Sequence, residues 1–239
     1  MNLSVIVASK NFNNVDYLVA RTNLFKLIDF GAEILFILYQ DDYIFNSEND
    51  YSSIRIITSQ KNGIYDSYNL GIKLSTKEFY LILGDDDIFL GNISLINNLL
   101  AKSDFDLYVF NVIKNRKVVK GYFPSKLYTT VLGIFPSHTG GMLIKNELHS
   151  EFGFYSLKFK VLADQLFLLG CILKNKVIKY ESAVISIVGE KGFSSNYDMS
   201  ILELRKIIHE LRLGIVPLCF SYILQCKRRI RNKWGKLKF

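Results

Sequence analysis

The sequence predicts an α/β protein with a mostly parallel central sheet that is covered by helices on both faces. Short apolar runs recur along the first half of the chain, and amphipathic helical patterns separate most of them. The runs are apolar at consecutive positions, so both faces of each strand are expected to be buried. Polar residues follow several of these runs directly. In a parallel sheet they would gather beyond the carboxyl ends of the strands, where such sheets bind ligands.

Seven segments in the first half follow the order strand, helix, strand, strand, helix, strand, helix. Apolar runs mark the strands, and apolar residues at helical spacing mark the helices. Asn92 stands where its side chain can cap the last of these helices. The predicted strands are 3–8, 33–39, 53–57 and 79–83, and the predicted helices are 15–28, 64–74 and 93–100.

The pattern changes after Leu107, because strands and helices no longer alternate regularly. We predict one domain over 1–212, built from the halves 1–103 and 104–212, and a separate tail over 213–239. The predicted strands of the second half are 107–113, 118–123, 142–144, 177–180 and 184–188, and its predicted helices are 146–152, 162–173 and 199–212.

The net charge of +8 is concentrated at the C-terminus. From Lys227 onward there are seven basic residues and no acidic one, so the preceding chain is close to neutral. A nucleic-acid-binding protein would more often spread its basic residues over a folded face, and no nucleic-acid partner is expected. The apolar segment 213–226 is shorter than the roughly 20 residues that a spanning helix needs. The apolar segment and the basic residues that follow it together predict a tail that binds an anionic membrane surface. The alternative is a helix that packs on the core, followed by a disordered basic end.

The N-terminus and the cysteines indicate the compartment. The first residues lack the basic region of a signal peptide and resemble a buried strand instead. The three cysteines show no CxxC spacing, so neither a zinc site nor a disulfide framework is indicated. We therefore expect a cytoplasmic protein that is peripheral on the inner face of the plasma membrane.

Asp85, Asp86 and Asp87 directly follow the predicted strand 79–83. Adjacent like charges repel, so solvent or a partner must stabilise them. A hard divalent cation such as Mg²⁺ or Mn²⁺ binds carboxylate oxygens, and it could hold a diphosphate at the same time. The alternative is a solvated turn in which one aspartate caps a helix.

Two consecutive stretches resemble a known enzyme family. The segment 63–79 reads GIYDSYNLGIKLSTKEF, and 83–89 reads LGDDDIF. They resemble family 2 glycosyltransferases of colanic acid, O-antigen and capsule assembly, which have a GIYDAMNKGI-like helix, a strand and an Asn/Asp-x-Asp-Asp turn. The resemblance implies a GT-A (nucleotide-diphospho-sugar transferase) fold and a nucleotide-sugar donor, most often a UDP-sugar.

The same resemblance implies roles for residues of the first half. Gly84 stands where the family has an acid or amide, which leaves Asp86 as the metal ligand, with Asp87 or Asp85 assisting. Alternatively, Asp66 is only a first-turn acid that the helix dipole favours, and Asn69 is a polar surface position. The implied donor-binding residues are Ala8, Ser9, Asn11, Asp41, Asp66, Asn69 and Asp85.

A second set of motifs in the other half resembles the same family. The segments 136–144, 152–155 and 160–169 correspond to its His-containing loop, Gly-Leu-Phe-Asp turn and Ala-x-Asp helix start. This places Asp164 at the position of the catalytic base, and a carboxylate at a helix N-terminus suits that task. Alternatively, Asp164 is only a first-turn acid. The residues implied at the acceptor or in a lid are His138, Lys191 and Ser194. The alternatives are a structural histidine and an ordinary surface loop.

The sequence therefore predicts an inverting, metal-dependent glycosyltransferase that uses Mg²⁺ or Mn²⁺. Its acceptor would be a lipid-diphosphate-linked saccharide in bacterial surface polysaccharide synthesis. A nucleotidyltransferase on the same sheet is an alternative, although Ser9-Lys10-Asn11-Phe12 is not the glycine-rich phosphate loop it would need. A non-catalytic membrane-surface binding module is another, but it leaves the acidic turn without a purpose.

Overall fold

A computed structural model describes residues 1–10, 15–38, 54–59, 63–122, 137–189 and 197–235. The candidate residues Asn11, Asp41, Lys191 and Ser194 lie outside these ranges. The strands are β1 Leu3–Ser9, β2 Glu33–Leu38, β3 Ile54–Thr58, β4 Phe79–Gly84, β5 Ile88–Phe89, β6 Leu107–Lys114, β7 Lys117–Val119, β8 Met142–Lys145 and β9 Ile178–Val188. The helices are α1 Val15–Thr22, α2 Phe25–Ile28, α3 Ile64–Leu74, α4 Ile93–Lys102, α5 Leu148–Phe152, α6 Ala163–Leu173, α7 Tyr197–Glu210 and α8 Ile215–Gly235.

One sheet contains all the described strands, in the order β3-β2-β1-β4-β8-β6-β9-β5, with β7 paired to β6. The first four in that order are parallel to one another. On the far side β6 and β9 are also parallel, and β8 joins the two parallel groups by antiparallel pairing with β4 and β6. The register aligns Ala8 at the end of β1 with Gly84 at the end of β4. This alignment brings the residues that follow both strands to one edge.

The sheet separates two apolar cores because successive side chains of a strand point to opposite faces. In β1, Ile6 and Ala8 pack into the core beneath α3, α6 and α7, whereas Val5 and Val7 pack into the core beneath α1, α2 and α4. All seven residues of β1 are buried. Helices thus cover both faces, as the consecutive apolar residues predict.

Two of the three helices that the sequence predicts in the first half are present as single helices, α3 and α4. Helix α3 spans the predicted range 64–74, and Asn92 caps α4 by accepting a hydrogen bond from the amide of Leu95 at 3.1 Å. The predicted helix 15–28 is wrong as a single element. Asn23 has a left-handed backbone with φ of 60°, which ends α1 before α2 begins.

The predicted strands 177–180 and 184–188 form one strand, β9, rather than two. The residues between them interrupt the apolar run but do not leave the sheet. The register against β6 shifts around Asn111, whose side-chain amide donates to the carbonyl oxygen of Ser182 at 2.6 Å. An irregular parallel pair therefore replaces the break that the sequence suggests.

The tail begins with α8, whose first half packs against α7. The Arg205 side chain of α7 donates hydrogen bonds to Ser221 Oγ at 3.1 Å and Gln225 Oε1 at 2.7 Å. Several apolar side chains of α8 remain exposed: Ile215, Val216, Tyr222 and Ile223. No helix in the described part of the chain is long and apolar enough to cross a bilayer.

Candidate active site

A cleft of about 410 Å³ opens at the carboxyl edge of the parallel strands. The ends of β1, β4 and β9, the first turns of α3 and α6, and the segment 137–140 form its walls. The predicted site residues that line it are Ala8, Asp85, Asp86, Asp87, His138 and Asp164. Residues predicted from motifs eighty positions apart thus share one cavity.

Asp85 is held by the residue that ends β1. Ser9 is fully buried, and its hydroxyl donates to Asp85 Oδ2 at 2.6 Å. The parallel pairing of β1 with β4 makes this contact possible, because Ser9 lies one residue beyond the aligned Ala8–Gly84 pair. The bond ties the acidic turn to the strand where the sequence predicts donor contacts.

Asp87 closes the acidic turn by accepting two backbone hydrogen bonds. Its Oδ2 accepts from the amide of Gly84, and its Oδ1 accepts from the amide of Gly189, both at 2.8 Å. The side chain is buried, and burial raises its pKa to about 6, although both amide bonds oppose this rise. The two amides thereby fix the turn and join it to the end of β9.

Asp86 differs from both neighbours because its carboxylate has no hydrogen bond or ion pair among the described residues. It lines the cleft between two glycines. An ideal Cβ on Gly84 would lie 3.0 Å from Asp86 Oδ1, and one on Gly189 would lie 1.8 Å from Asp86 Oδ2. The sequence departs from the family pattern at Gly84, and the structure gives a reason for a small residue there.

The acidic turn fits a cation that takes most of its ligands from substrate and water. Within the described ranges, no group of three or more His, Cys, Asp or Glu side chains is arranged to hold a metal ion by itself. Mg²⁺ is usually bound through one or two carboxylates together with substrate phosphates. The carboxylate of Asp86, which no described residue binds, supplies that donor chemistry, with Asp85 beside it in the cleft.

Asp164 lies in the first turn of α6 and lines the same cleft. Tyr65 Oη donates to its Oδ1 at 2.8 Å, and Thr139 Oγ1 donates to its Oδ2 at 2.5 Å. The amide of Gln165 also donates to Oδ1, at 2.9 Å. Burial raises the pKa of Asp164, while the bonds from Thr139 and Tyr65 lower it. The carboxyl group is thus partly shielded from solvent and oriented by two hydroxyls.

Tyr65 reaches Asp164 because α3 lies close to β1. An added Cβ on Gly71 would lie 2.4 Å from Ile6 Cγ2, so only glycine lets the helix approach the strand this closely. Tyr65 Oη also lies 2.6 Å from the carbonyl oxygen of Val161, just before α6. Helix α3, which belongs to the motif 63–79, therefore helps to position Asp164, which belongs to the motif 160–169.

His138 lines the cleft at the start of a 3₁₀ turn, Thr139–Gly141. Burial, together with the positive charge of Lys114, lowers its pKa to about 4. The imidazole is therefore neutral at ordinary pH. Ser186 Oγ donates to the carbonyl oxygen of Gly140 at 2.6 Å, which fastens this turn to β9.

Asp66 and Asn69 do not line the cleft. Asp66 accepts a hydrogen bond from Ser59 Oγ at 3.0 Å, which joins α3 to the end of β3. Asn69 is buried and pairs with the backbone of Tyr155 through both its amide nitrogen and its oxygen, at 2.8 and 2.9 Å. In this structure Asn69 therefore joins α3 to the segment before α6.

The cleft residues that were not among the predicted site residues include three that lie against its acidic side chains: Tyr65, Thr139 and Gly189. Tyr65 and Thr139 lie within the motifs, but their contact with Asp164 spans 99 and 25 residues of sequence. The position of Tyr65 in the first turn of the predicted helix 64–74 was the one sequence feature that indicated a place in the site. No signal in the sequence connects Gly189 with Asp86.

No protein-family model matches the chain, and no curated protein matches it in sequence. Solved structures do match. A TarS 1–349 fragment from S. aureus, in complex with UDP-GlcNAc, has a TM-score of 0.63 and 17% identity, over 92% of this chain and 71% of that chain. The mannosyltransferase PcManGT from Pyrobaculum calidifontis, in complex with GDP-Man and Mn²⁺, has a TM-score of 0.59 and 16% identity, over 95% and 68%.

These similarities establish the architecture of the chain. It has the GT-A fold. The α/β fold with a mostly parallel sheet that the sequence predicts is confirmed. A longer TarS structure matches with a TM-score of 0.60 and 17% identity over 84% of this chain, and this chain spans 39% of that one.

Proposed function

We propose that the chain is an inverting, metal-dependent glycosyltransferase that moves a sugar from a nucleotide-diphosphate donor, a UDP-sugar, to a lipid-linked saccharide. The observation that carries the proposal is that one cleft is lined both by Asp86, whose carboxylate has no partner among the described residues, and by Asp164, whose carboxylate is oriented by two hydroxyls. The first suits a cation that carries a diphosphate, and the second suits a general base.

The chemistry assigned to the residues is a single displacement. Asp164 accepts the proton of an acceptor hydroxyl while that oxygen forms a bond to the anomeric carbon. The bond between this carbon and the diphosphate oxygen breaks, and the nucleoside diphosphate leaves. When bound, Mg²⁺ or Mn²⁺ would neutralise the negative charge that develops on the leaving group. Asp164 must be ionised for this step, and the donors Tyr65 and Thr139 favour its ionised form.

The donor class is supported by the ligands of structures with the same fold. TarS binds UDP and UDP-GlcNAc, and PcManGT binds GDP-Man with Mn²⁺. In this chain the donor diphosphate would lie between the acidic turn and the end of β1, where Ser9 fixes Asp85. Asn11 and Asp41 extend the proposed donor site on the grounds of the resemblance alone.

The acceptor class is supported by the tail. The exposed apolar residues of α8 precede a C-terminal sequence with seven basic residues and no acid. Such a combination binds an anionic membrane surface, where a lipid-diphosphate-linked saccharide would be presented. O-antigen or capsule assembly is the pathway class that this acceptor suggests. The tail 213–239 would then be a membrane-associating segment appended to the catalytic domain 1–212.

Vesicle co-sedimentation tests the tail. The full chain should bind vesicles that contain anionic lipid and should not bind vesicles without it. Ile215→Asp combined with Ile223→Asp should weaken binding, whereas Leu157→Asp, which alters an exposed apolar residue elsewhere, should not. Equal binding by both variants would contradict a role for α8.

Thermal unfolding with a panel of nucleoside diphosphates and nucleotide sugars tests the donor class. UDP should raise the melting temperature strongly when Mn²⁺ is present and weakly when a chelator replaces it, because ligand that binds only the native state stabilises it. Stabilisation by nucleoside triphosphates alone would favour a nucleotidyltransferase. The absence of any nucleotide effect would contradict the proposal.

A further inference from the structure

Gly189, the residue directly after β9, leaves the space that the Asp86 carboxylate occupies. An ideal Cβ at this position would lie 1.8 Å from Asp86 Oδ2, 2.1 Å from Cγ and 2.6 Å from Oδ1. No Cβ approaches atoms so closely, so one of the two residues would have to move. The φ of Gly189 lies outside the left-handed region, so its backbone conformation suits any residue. The glycine is therefore needed for space and not for its conformational freedom.

The backbone of residue 189 has little freedom to move away from Asp86. Its amide donates to Asp87 Oδ1 at 2.8 Å, and Asp87 also accepts from the amide of Gly84. The preceding residues of β9 pair with β5 and β6. Asp86, by contrast, has no hydrogen bond among the described residues that would hold its carboxylate. A side chain at position 189 would consequently displace the Asp86 carboxylate and leave the backbone in place.

We infer that Gly189 is a positioning residue for the donor site: it lets the Asp86 carboxylate lie against the end of β9, in the place from which it binds the cation of the donor diphosphate. This inference rests on the proposed function. It assigns a role in metal-dependent donor binding to a residue that has no side chain with which to bind the cation. Asp87 accepts a hydrogen bond from the backbone amide of Gly189, and the missing side chain of Gly189 leaves room for the Asp86 carboxylate. The two adjacent aspartates therefore both depend on Gly189, one for a hydrogen bond and the other for space.

The test is Gly189→Ala in the full chain, with Gly63→Ala as the matched control. Gly63 precedes α3 in an extended conformation, with φ of 162°, and no atom lies within 4 Å of an ideal Cβ there. Titration calorimetry should measure the affinity for UDP with Mn²⁺ and with a chelator. We expect Gly189→Ala to weaken Mn²⁺-dependent UDP binding by about 10–100-fold, the range for residues that orient metal ligands. Binding without metal and the melting temperature should change little, and Gly63→Ala should behave as wild type.

A double-mutant cycle separates positioning from a general structural effect. If Gly189 acts through Asp86, adding Gly189→Ala to Asp86→Ala should produce no further loss, because the carboxylate that the methyl group displaces is already absent. Losses that add in the double variant would overturn the inference while leaving the metal role of Asp86 intact. Wild-type Mn²⁺-dependent binding by Gly189→Ala would overturn it as well.

The single variant Asp86→Ala distinguishes failure of this inference from failure of the proposed function. If Asp86→Ala retains the full Mn²⁺ dependence of UDP binding, Asp86 is not the ligand, and the proposed metal site and the inference on Gly189 fail together. If Asp86→Ala loses it and Gly189→Ala does not, only the inference fails.

Discussion

Asp87 and Asp164 line the same cleft, but their carboxylates accept hydrogen bonds from different kinds of donor. Backbone amides bind Asp87, and both belong to glycines at strand ends. Asp164 is bound mainly by the hydroxyls of Tyr65 and Thr139, which come from distant parts of the chain. Burial raises the pKa of both groups. The free-energy cost of burying a carboxylate is thus offset by backbone amides at Asp87 and mainly by side-chain hydroxyls at Asp164.

The difference indicates different tasks. Backbone donors persist whatever side chains surround them, so Asp87 makes a permanent clamp between the acidic turn and β9. Side-chain hydroxyls can be repositioned by substrate, and they tune the protonation of the carboxyl they contact. The surroundings of Asp164 therefore suit the proton transfer that the proposed function assigns to it, and those of Asp87 suit a group that holds a loop in place.

The largest effect is expected for Asp164→Asn. An amide cannot accept the acceptor proton, so transfer should fall by about 10²–10⁴-fold, the usual contribution of a general base. UDP affinity should stay at the wild-type value, because the substitution is nearly isosteric. Asp198→Asn is the matched control, since Asp198 also lies in the first turn of a helix but is exposed. Unchanged turnover in Asp164→Asn would contradict the base assignment.

Asp87→Ala tests the other side of the comparison. Two backbone amides lose their acceptor, which should lower the free energy of unfolding by about 1–3 kcal/mol. Urea denaturation measures this loss, and the exposed Asp29→Ala should show none of it. Wild-type stability in Asp87→Ala would mean that the clamp does not hold the turn, and the distinction between the two carboxylates would disappear.

A smaller effect is expected when one hydroxyl at Asp164 is removed. Thr139→Val deletes a donor that lowers the pKa of Asp164, so this pKa should rise further. Because the base must be ionised, the acidic limb of the kcat/KM profile should move to higher pH. Thr139→Ser should restore the wild-type limb, and Tyr65→Phe should move it in the same direction as Thr139→Val. A shift to lower pH would show that the hydroxyls stabilise the protonated acid instead.

The general arrangement of the cleft could be predicted from the sequence. Apolar runs followed by polar residues predicted that the ends of β1 and β4 meet, and Ser9 does contact Asp85. The bounds of α3 were also predicted, because the spacing of its apolar residues is regular. These features depend on residues close together in the sequence or on the regular geometry of a parallel sheet.

The separate environments of the three aspartates could not be predicted. Asp85, Asp86 and Asp87 are chemically identical neighbours, and only the directions of their side chains distinguish a strand-linked, an unpaired and a buried carboxylate. The direction of Asp85 depends on Ser9 at the end of β1, and those of Asp86 and Asp87 depend on Gly189 after β9, which is 102 residues away from Asp87 in the sequence. The partners of Asp164 were missed for the same reason, since long-range side-chain contacts leave no local pattern.

Calorimetric titration of UDP into Asp86→Ala, with and without Mn²⁺, tests most directly whether the acidic turn holds a cation for the donor diphosphate. The wild-type chain and the surface variant Asp29→Ala should bind UDP more tightly with Mn²⁺ than with a chelator. Asp86→Ala should bind with the same weak affinity in both conditions and should remain as stable as wild type without metal, because it loses no hydrogen bond within the described chain. An Asp86→Ala variant that keeps the full gain in affinity from Mn²⁺ would contradict the account.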